Sequence, residues 1–314
     1  MRKTSKLLIT LYFFSNIIFS NNFGVIRGTD KVLYYSHEKN KILEKDDILR
    51  VRHKKILEEL GYDIENVNLD VFLIEDGNII FGDEKKIIVN IEENKVLFKA
   101  NSGFPSIYEG EKLTPRKRPI NMEKKHIAFT FDDGPLNEYH ELIRELFKDE
   151  DLATFCVVGR NVKRHKEMLK KTYLEGHEIV NHTYNHPNLT LINSKTRWKE
   201  IFETDNEIMK LTGEDAEYLR PPYGVFNKQI TKELNGKLAL WNVDSLDWRY
   251  RNKDLIIAHI KKDLKDKNIV LFHDLFESSY LAVKELIPEL KKQGYQFVTY
   301  SEMMEIRKNK KVVE

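Results

Sequence analysis

The chain predicts an α/β fold. A mainly parallel sheet with crossover helices, closed as a distorted barrel, occupies residues 125–305, and a small α+β region precedes it. Two observations carry this. From His126 onward, short apolar runs alternate with segments of helical periodicity or composition. The chemically conspicuous residues then fall just after the C-terminal ends of several runs. An open doubly wound sheet gathers its site at one switch point, whereas a barrel collects it from many strand ends on one face.

The apolar runs are 127–131, 152–158, 177–180, 218–220, 238–243, 269–272 and 297–300, read as seven strands. The helical segments between them are 138–148, 162–175, 195–211, 227–234, 253–264 and 279–292. Asp132 and Asp133 follow the first run, and His182 and His186 the third. Arg220 ends the fourth. Asp244, Asp247 and Trp248 follow the fifth, and His273 and Asp274 the sixth.

Upstream the signals are weaker. Residues 1–20 carry Arg2, Lys3 and Lys6 before an apolar run over 7–19, the pattern of a secretory signal peptide or a retained N-terminal anchor. The run is short for a membrane span, which needs roughly 20 apolar residues. Residues 21–111 read as a small α+β accessory region. It has helical spacing over 45–60, a hairpin over 70–81 around Asp76-Gly77-Asn78, and a second hairpin over 86–99 around Glu92-Glu93-Asn94. Residues 112–124 are basic with two prolines and read as a solvated linker, and 306–314 as a charged tail.

Charge and cysteine content narrow the function classes. The chain has 52 Lys+Arg against 50 Asp+Glu, and losing Arg2, Lys3 and Lys6 with the leader would take the balance from +2 to −1. No bulk field favours nucleic acid, and no membrane contact is expected beyond a retained N-terminal anchor. The single cysteine, Cys156, excludes a disulfide framework and sits in an apolar run, as a buried inert thiol would.

His182-Thr183-Tyr184-Asn185-His186 sets two imidazoles four residues apart, where both can reach one cation. Alone, such a pair is weak evidence. The third ligand decides the matter. Asp132 and Asp133 are adjacent carboxylates at a strand end, and their repulsion calls for a bound cation or a buried arginine. Their bland role, capping the helix that follows, is one that Asn137 can fill. Two histidines and a carboxylate leave open coordination positions, as a catalytic metal site needs. Non-haem iron oxygenases use the same set, but no cosubstrate motif accompanies it here, so a hydrolytic ion ranks first.

Five motifs stand in one order: Thr130-Phe131-Asp132-Asp133-Gly134-Pro135, His182-Thr183-Tyr184-Asn185-His186, Arg220-Pro221-Pro222-Tyr223-Gly224, Asp244-Ser245-Leu246-Asp247-Trp248 and Leu271-Phe272-His273. Together they make residues 125–304 resemble the polysaccharide deacetylase (NodB-homology) family, the family-four carbohydrate esterases. The resemblance implies a distorted (β/α)7 barrel. It also implies metal-dependent removal of acetyl groups from N-acetylglucosamine-containing polysaccharide or O-acetylated xylan. By the same resemblance Asp133, His182 and His186 would hold a divalent metal, zinc first, then cobalt or nickel. Asp132 would be the general base and Arg220 would orient it. The Tyr223 N–H would meet the oxyanion. His273 would be the general acid and Asp247 its partner. Trp248, Leu271 and Pro222 would shape the acetyl pocket.

An exported enzyme acting on peptidoglycan or a related envelope glycan is the leading expectation, since a leader precedes a globular enzyme and no chitin- or cellulose-binding module is evident. The alternatives are an O-acetyl esterase, a catalytically silent glycan-binding relative, and a protein whose biology is dominated by residues 21–118 as a docking module.

Overall fold

The computed structural model describes residues 49–75, 78–98, 106–108, 110 and 113–310, with the strand backbones of 23–27, 32–36 and 41–42. The expected leader and the turn residues Asp76 and Gly77 lie outside the described residues. Among those that are described, no helix is long and apolar enough to cross a membrane. The chain divides into two compact units, Met1–Glu109 with Gly213–Asp215, and Gly110–Thr212 with Ala216–Glu314.

In the first unit β1 (Phe23–Arg27), β2 (Val32–Ser36) and β3 (Lys41–Ile42) pair antiparallel. A short helix, His53–Glu59, buries Ile56 and Leu57. β4 (Phe72–Glu75) and β5 (Asn78–Phe81) form the expected first hairpin, with Glu75 opposite Asn78. Among the described residues the expected second hairpin does not form. β6 (Ile87–Asn90) pairs back onto β5. The chain beyond Asn94 instead winds into a 3-10 turn, Lys95–Leu97. Leu97 and Phe98 are buried there, and Phe98 bridges to Leu49. Burial of these two apolar residues outcompetes the strand that the pattern suggested.

The second unit carries β7 (Lys125–Asp132), β8 (Thr154–Val157), β9 (Glu178–Asn181), β10 (Val243–Asp244), β11 (Asn268–His273) and β12 (Tyr295–Phe297). The parallel order is β10-β11-β7-β8-β9. Single parallel bridges continue it, Asn181 to Leu219 and Leu219 to Leu238. The segment from Leu238 runs on into β10, which pairs with β11, so the ring closes.

Two of the seven predicted strands therefore shrink. The run 218–220 is reduced to one bridging residue, Leu219, because Pro221 and Pro222 follow and cannot donate to a ladder. The run 238–243 holds the ring at its two ends. The last predicted strand starts earlier, at Tyr295, and pairs with the beginning of β7. It stops where Thr299 and Glu302 exchange side-chain and backbone bonds, a capping box that opens the Tyr300–Lys310 helix. That helix takes up the first part of the expected tail and buries Ile306.

β7 shows how the barrel is built. Ile127, Phe129 and Phe131 join a core with Val283 and Leu286 of the Glu277–Lys292 helix. The alternate residue Ala128 joins Cys156, Val180 and Ile269 in a second cluster. Period-two alternation thus sends Thr130 and Asp132 to the face opposite the Glu277–Lys292 helix. The basic stretch is no free linker. Arg118 pairs with Glu302 at 2.6 Å, and Arg116 donates to the Glu175 carbonyl at 2.8 Å. Both planar guanidinium groups find acceptors in the folded unit, although Arg118 Nε is buried without one.

Candidate active site

Asp132 ends β7, and its register partner on the neighbouring parallel strand is His273, the end of β11. The two side chains begin about one strand spacing apart, roughly 4.8 Å. Asp132 is buried and accepts from Arg220 Nη1 at 2.9 Å. Arg220 is fully buried. It also donates to Thr130 Oγ1 (3.1 Å) and to the Ala239 carbonyl (2.6 Å), with its guanidinium 5.0 Å from the Trp241 ring. A buried charge pair of this kind holds only when the remaining donors find acceptors, as they do here.

The opposite arrangement surrounds His273. Asp247 is buried, and its Oδ1 meets His273 Nδ1 at 2.7 Å and accepts from the Trp248 N–H at 2.8 Å. Its Oδ2 accepts from the His273 N–H at 2.7 Å and from Ser279 Oγ at 2.6 Å. The carboxylate keeps a proton on Nδ1 and leaves Nε2 free. Burial acts to lower the His273 pKa, but the hydrogen bond and charge of Asp247 override it and raise the value to about 9.

Asp133, His182 and His186 converge as a possible metal cluster, with one ligand atom from each within 4.8 Å of the others. Asp133 Oδ1 stands 3.5 Å from His182 Nε2 and 3.4 Å from His186 Nε2. Ligands held at about 2.1 Å around a tetrahedral ion stand about 3.4 Å apart, so the donor set fits a zinc-sized cation. His182 Nδ1 lies 2.7 Å from the Arg220 carbonyl, which directs Nε2 at the cluster. Burial would raise the Asp133 carboxyl, but the imidazoles of His182, His273 and His186 bring it down to about 2. Burial and the neighbouring His182 push His186 down to about 4, so both partners are in their ligating forms near neutral pH.

The two histidines sit on a loop, not a helical turn. Thr183 and His186 have φ of 66° and 61°, a region that costs a non-glycine residue about 1–3 kcal/mol. Local bonds hold it there. Asn181 Oδ1 accepts from the Thr183 N–H (2.8 Å), and Thr183 Oγ1 from the His186 N–H (3.1 Å). Asp132 and Asp133 do not cap the next helix. Asn137 does, accepting from the Tyr139 N–H. Gly134 is required by contact, since a Cβ there would lie 2.1 Å from a carboxylate oxygen of buried Asp274. His140 is paired with that same Asp274.

Of the pocket residues, Pro222 opens a 3-10 turn in which Tyr223 has φ of 61°. Among the described residues the Tyr223 N–H meets no acceptor, and its ring lies 4.7 Å from that of His186. Leu271 is buried on β11 between Thr130 and Asp244. Trp248 is half exposed. Three contributors escaped the sequence reading: Thr130 beneath Arg220, Ser279 beneath Asp247, and Glu200 beneath the histidine loop. Thr130 lies inside a quoted motif. Ser279 and Glu200 carry no local signal.

Comparison with known proteins agrees with this geometry. A family model described as polysaccharide deacetylase matches residues 120–237, which include Asp132, the metal cluster, Arg220 and Tyr223. A peptidoglycan-N-acetylglucosamine deacetylase of Bacillus cereus is 34% identical over 194 residues, covering 59% of this chain and 91% of that protein. The chain belongs to the polysaccharide deacetylase family. A second relative is the peptidoglycan-N-acetylmuramic acid deacetylase PdaC of Bacillus subtilis, 36% identical over 197 residues. The match takes in 62% of this chain but only 42% of that protein's length. The solved structure of PdaC superposes with a TM-score of 0.58 at 35% identity, covering 61% of this chain and 96% of the solved one. The distorted barrel is the fold of these relatives.

Proposed function

We propose that this protein is an exported, metal-dependent deacetylase that removes N-acetyl groups from the glycan of peptidoglycan. The observation that carries the reading is the pairing of Asp132 with His273 at the ends of adjacent strands. One is held by a buried guanidinium and the other by a buried carboxylate. The guanidinium orients Asp132 as a proton acceptor, and the Asp247 carboxylate keeps His273 protonated as a donor.

Amide hydrolysis needs an activated water, a stabilised oxyanion and a proton for the leaving nitrogen. Asp132 takes a proton as the water oxygen bonds to the acetyl carbon. The Tyr223 N–H meets the oxygen that gains charge, and its proline-fixed backbone need not reorganise to do so. His273 gives its Nε2 proton to the nitrogen as the carbon–nitrogen bond breaks, leaving acetate and a free amine on the sugar. Asp133, His182 and His186 would hold a divalent ion, zinc first, which acidifies water and polarises a carbonyl. The names of the curated relatives support peptidoglycan as the substrate. Export rests on the basic and apolar pattern of residues 1–20.

The test is acetate release by the full chain from isolated peptidoglycan and from N-acetylglucosamine oligomers, with zinc, with chelator, and with Asp132→Asn. Release that depends on metal and vanishes in the variant is expected. No release from any N-acetylated glycan by folded, zinc-loaded protein would refute the reading. Release from O-acetylated xylan alone would replace it with the esterase.

A further inference from the structure

The loop 182–186 supplies two of the three metal-cluster residues, and its amides are gathered by a side chain outside every motif. Glu200 lies in the helix Ser194–Thr212. Its Oε2 accepts from the Tyr184 N–H at 3.0 Å and from the Asn185 N–H at 2.7 Å, and its Oε1 accepts from Asn185 Nδ2 at 2.9 Å. The loop's carbonyls are held from the other side. The Gly159 N–H donates to the Thr183 carbonyl at 2.9 Å, and the Arg160 N–H to the Tyr184 carbonyl at 3.1 Å. Gly159 must lack a side chain for this approach, because a Cβ would lie 2.6 Å from Tyr184 Cδ2 and 2.5 Å from Thr204 Oγ1.

We infer that Glu200 is the positioning residue of the metal centre: its carboxylate fixes the two central of the four peptide units between His182 and His186 and so sets the separation of the imidazoles. The inference rests on the metal-binding part of the proposed function. Two consecutive N–H groups aimed at one carboxylate oxygen leave those peptide planes no freedom to rotate. Charge-assisted bonds of this kind are about twice as strong as neutral ones. The flanking residues Thr183 and His186 occupy left-handed backbone regions that relax readily if the central amides are released. Without Glu200 the imidazoles would have to be ordered at the moment of binding, and affinity would fall.

The experiment is zinc binding to the metal-free full chain, by competition with a chromophoric chelator, for wild type, Glu200→Ala, Glu200→Gln and Glu203→Ala. Glu203 is on the same helix, where it pairs with Lys199 at 3.8 Å, and its variant controls for helix perturbation. Loss of a group that orients ligands weakens metal binding about 10–100-fold. Glu200→Ala is expected in that range. Glu200→Gln, which keeps one acceptor oxygen, should fall between it and wild type, and Glu203→Ala should match wild type. The d–d absorption of the cobalt-loaded Glu200→Ala protein should also shift, whereas a role confined to helix stability leaves it unmoved. Zinc affinity within about 3-fold of wild type in Glu200→Ala, or an equal loss in Glu203→Ala, overturns the inference. If Glu200→Ala does not fold, Glu200→Gln decides alone. Wild type that binds zinc but releases no acetate refutes the proposed function and leaves this inference standing. Wild type that binds no zinc removes both.

Discussion

Replacing Asp247 by Asn removes the charge that holds a proton on His273 while keeping the side chain's shape. His273 has its pKa at about 9, against 6.5 for an unperturbed imidazole. Each unit corresponds to about 1.4 kcal/mol, so the surroundings favour the protonated form by about 3 kcal/mol. Burial opposes that state, and Asp247 more than offsets it. In Asp247→Asn only burial and the more distant carboxylates remain, and the value should fall to about 6.5 or below. At pH 8 the protonated fraction would drop about 30-fold. The assay is the pH dependence of kcat/KM for acetate release, whose basic limb reports the essential acid of the free enzyme. The limb should move from about pH 9 to below about pH 7. A limb that stays in place, with activity merely scaled down, would refute His273 as the acid tuned by Asp247. The same shift bears on stability. A group whose folded pKa is raised contributes fully below its unfolded value of 6.5 and loses that contribution as pH climbs through about 9. The wild type should therefore lose stability across this window, and the variant should not.

Asp132→Asn should bind zinc like wild type by elemental analysis yet lose at least about 100-fold in kcat, the usual worth of a general base. Full turnover would remove that assignment. His182→Ala should lower zinc occupancy after dialysis, and unchanged occupancy would exclude it as a ligand. Arg220→Met leaves Asp132 buried without its partner and should cost about 3–5 kcal/mol in urea unfolding, whereas a loss below about 1 kcal/mol would mean that water reaches the carboxylate. His186 has its folded pKa lowered to about 4, so its contribution is full above the unfolded 6.5 and lost as pH falls towards 4. Metal-free protein should accordingly weaken in acid over that range, and His186→Gln should flatten the slope of a urea-midpoint series.

Several features were legible in the chain because they are local. The apolar run 127–131 announced a strand with Asp132 at its end, where β7 places it. Asn137 marked a helix start through its own side chain. The paired histidines announced a metal site only together with the adjacent carboxylates Asp132 and Asp133 at a strand end. Where local pattern misled, a tertiary competitor prevailed. The run at 95–98 abandoned its hairpin to bury Leu97 and Phe98. The basic stretch at 112–124 became docked because Arg118 found Glu302, 184 residues away.

By itself the sequence determined which chemical groups are present, their order along the chain and the strand ends that carry them. Only the tertiary structure decided which of them work together. Arg220 and Asp132 are 88 residues apart, Asp247 and His273 26, and Ser279 and Asp247 32. The ring itself closes through single bridges at Leu219 and Leu238 that no apolar run distinguishes from a full strand. Periodicity records which face of an element is apolar, over a few residues. A hydrogen bond between side chains on different strands depends on register and closure, which the whole unit sets when it buries its core.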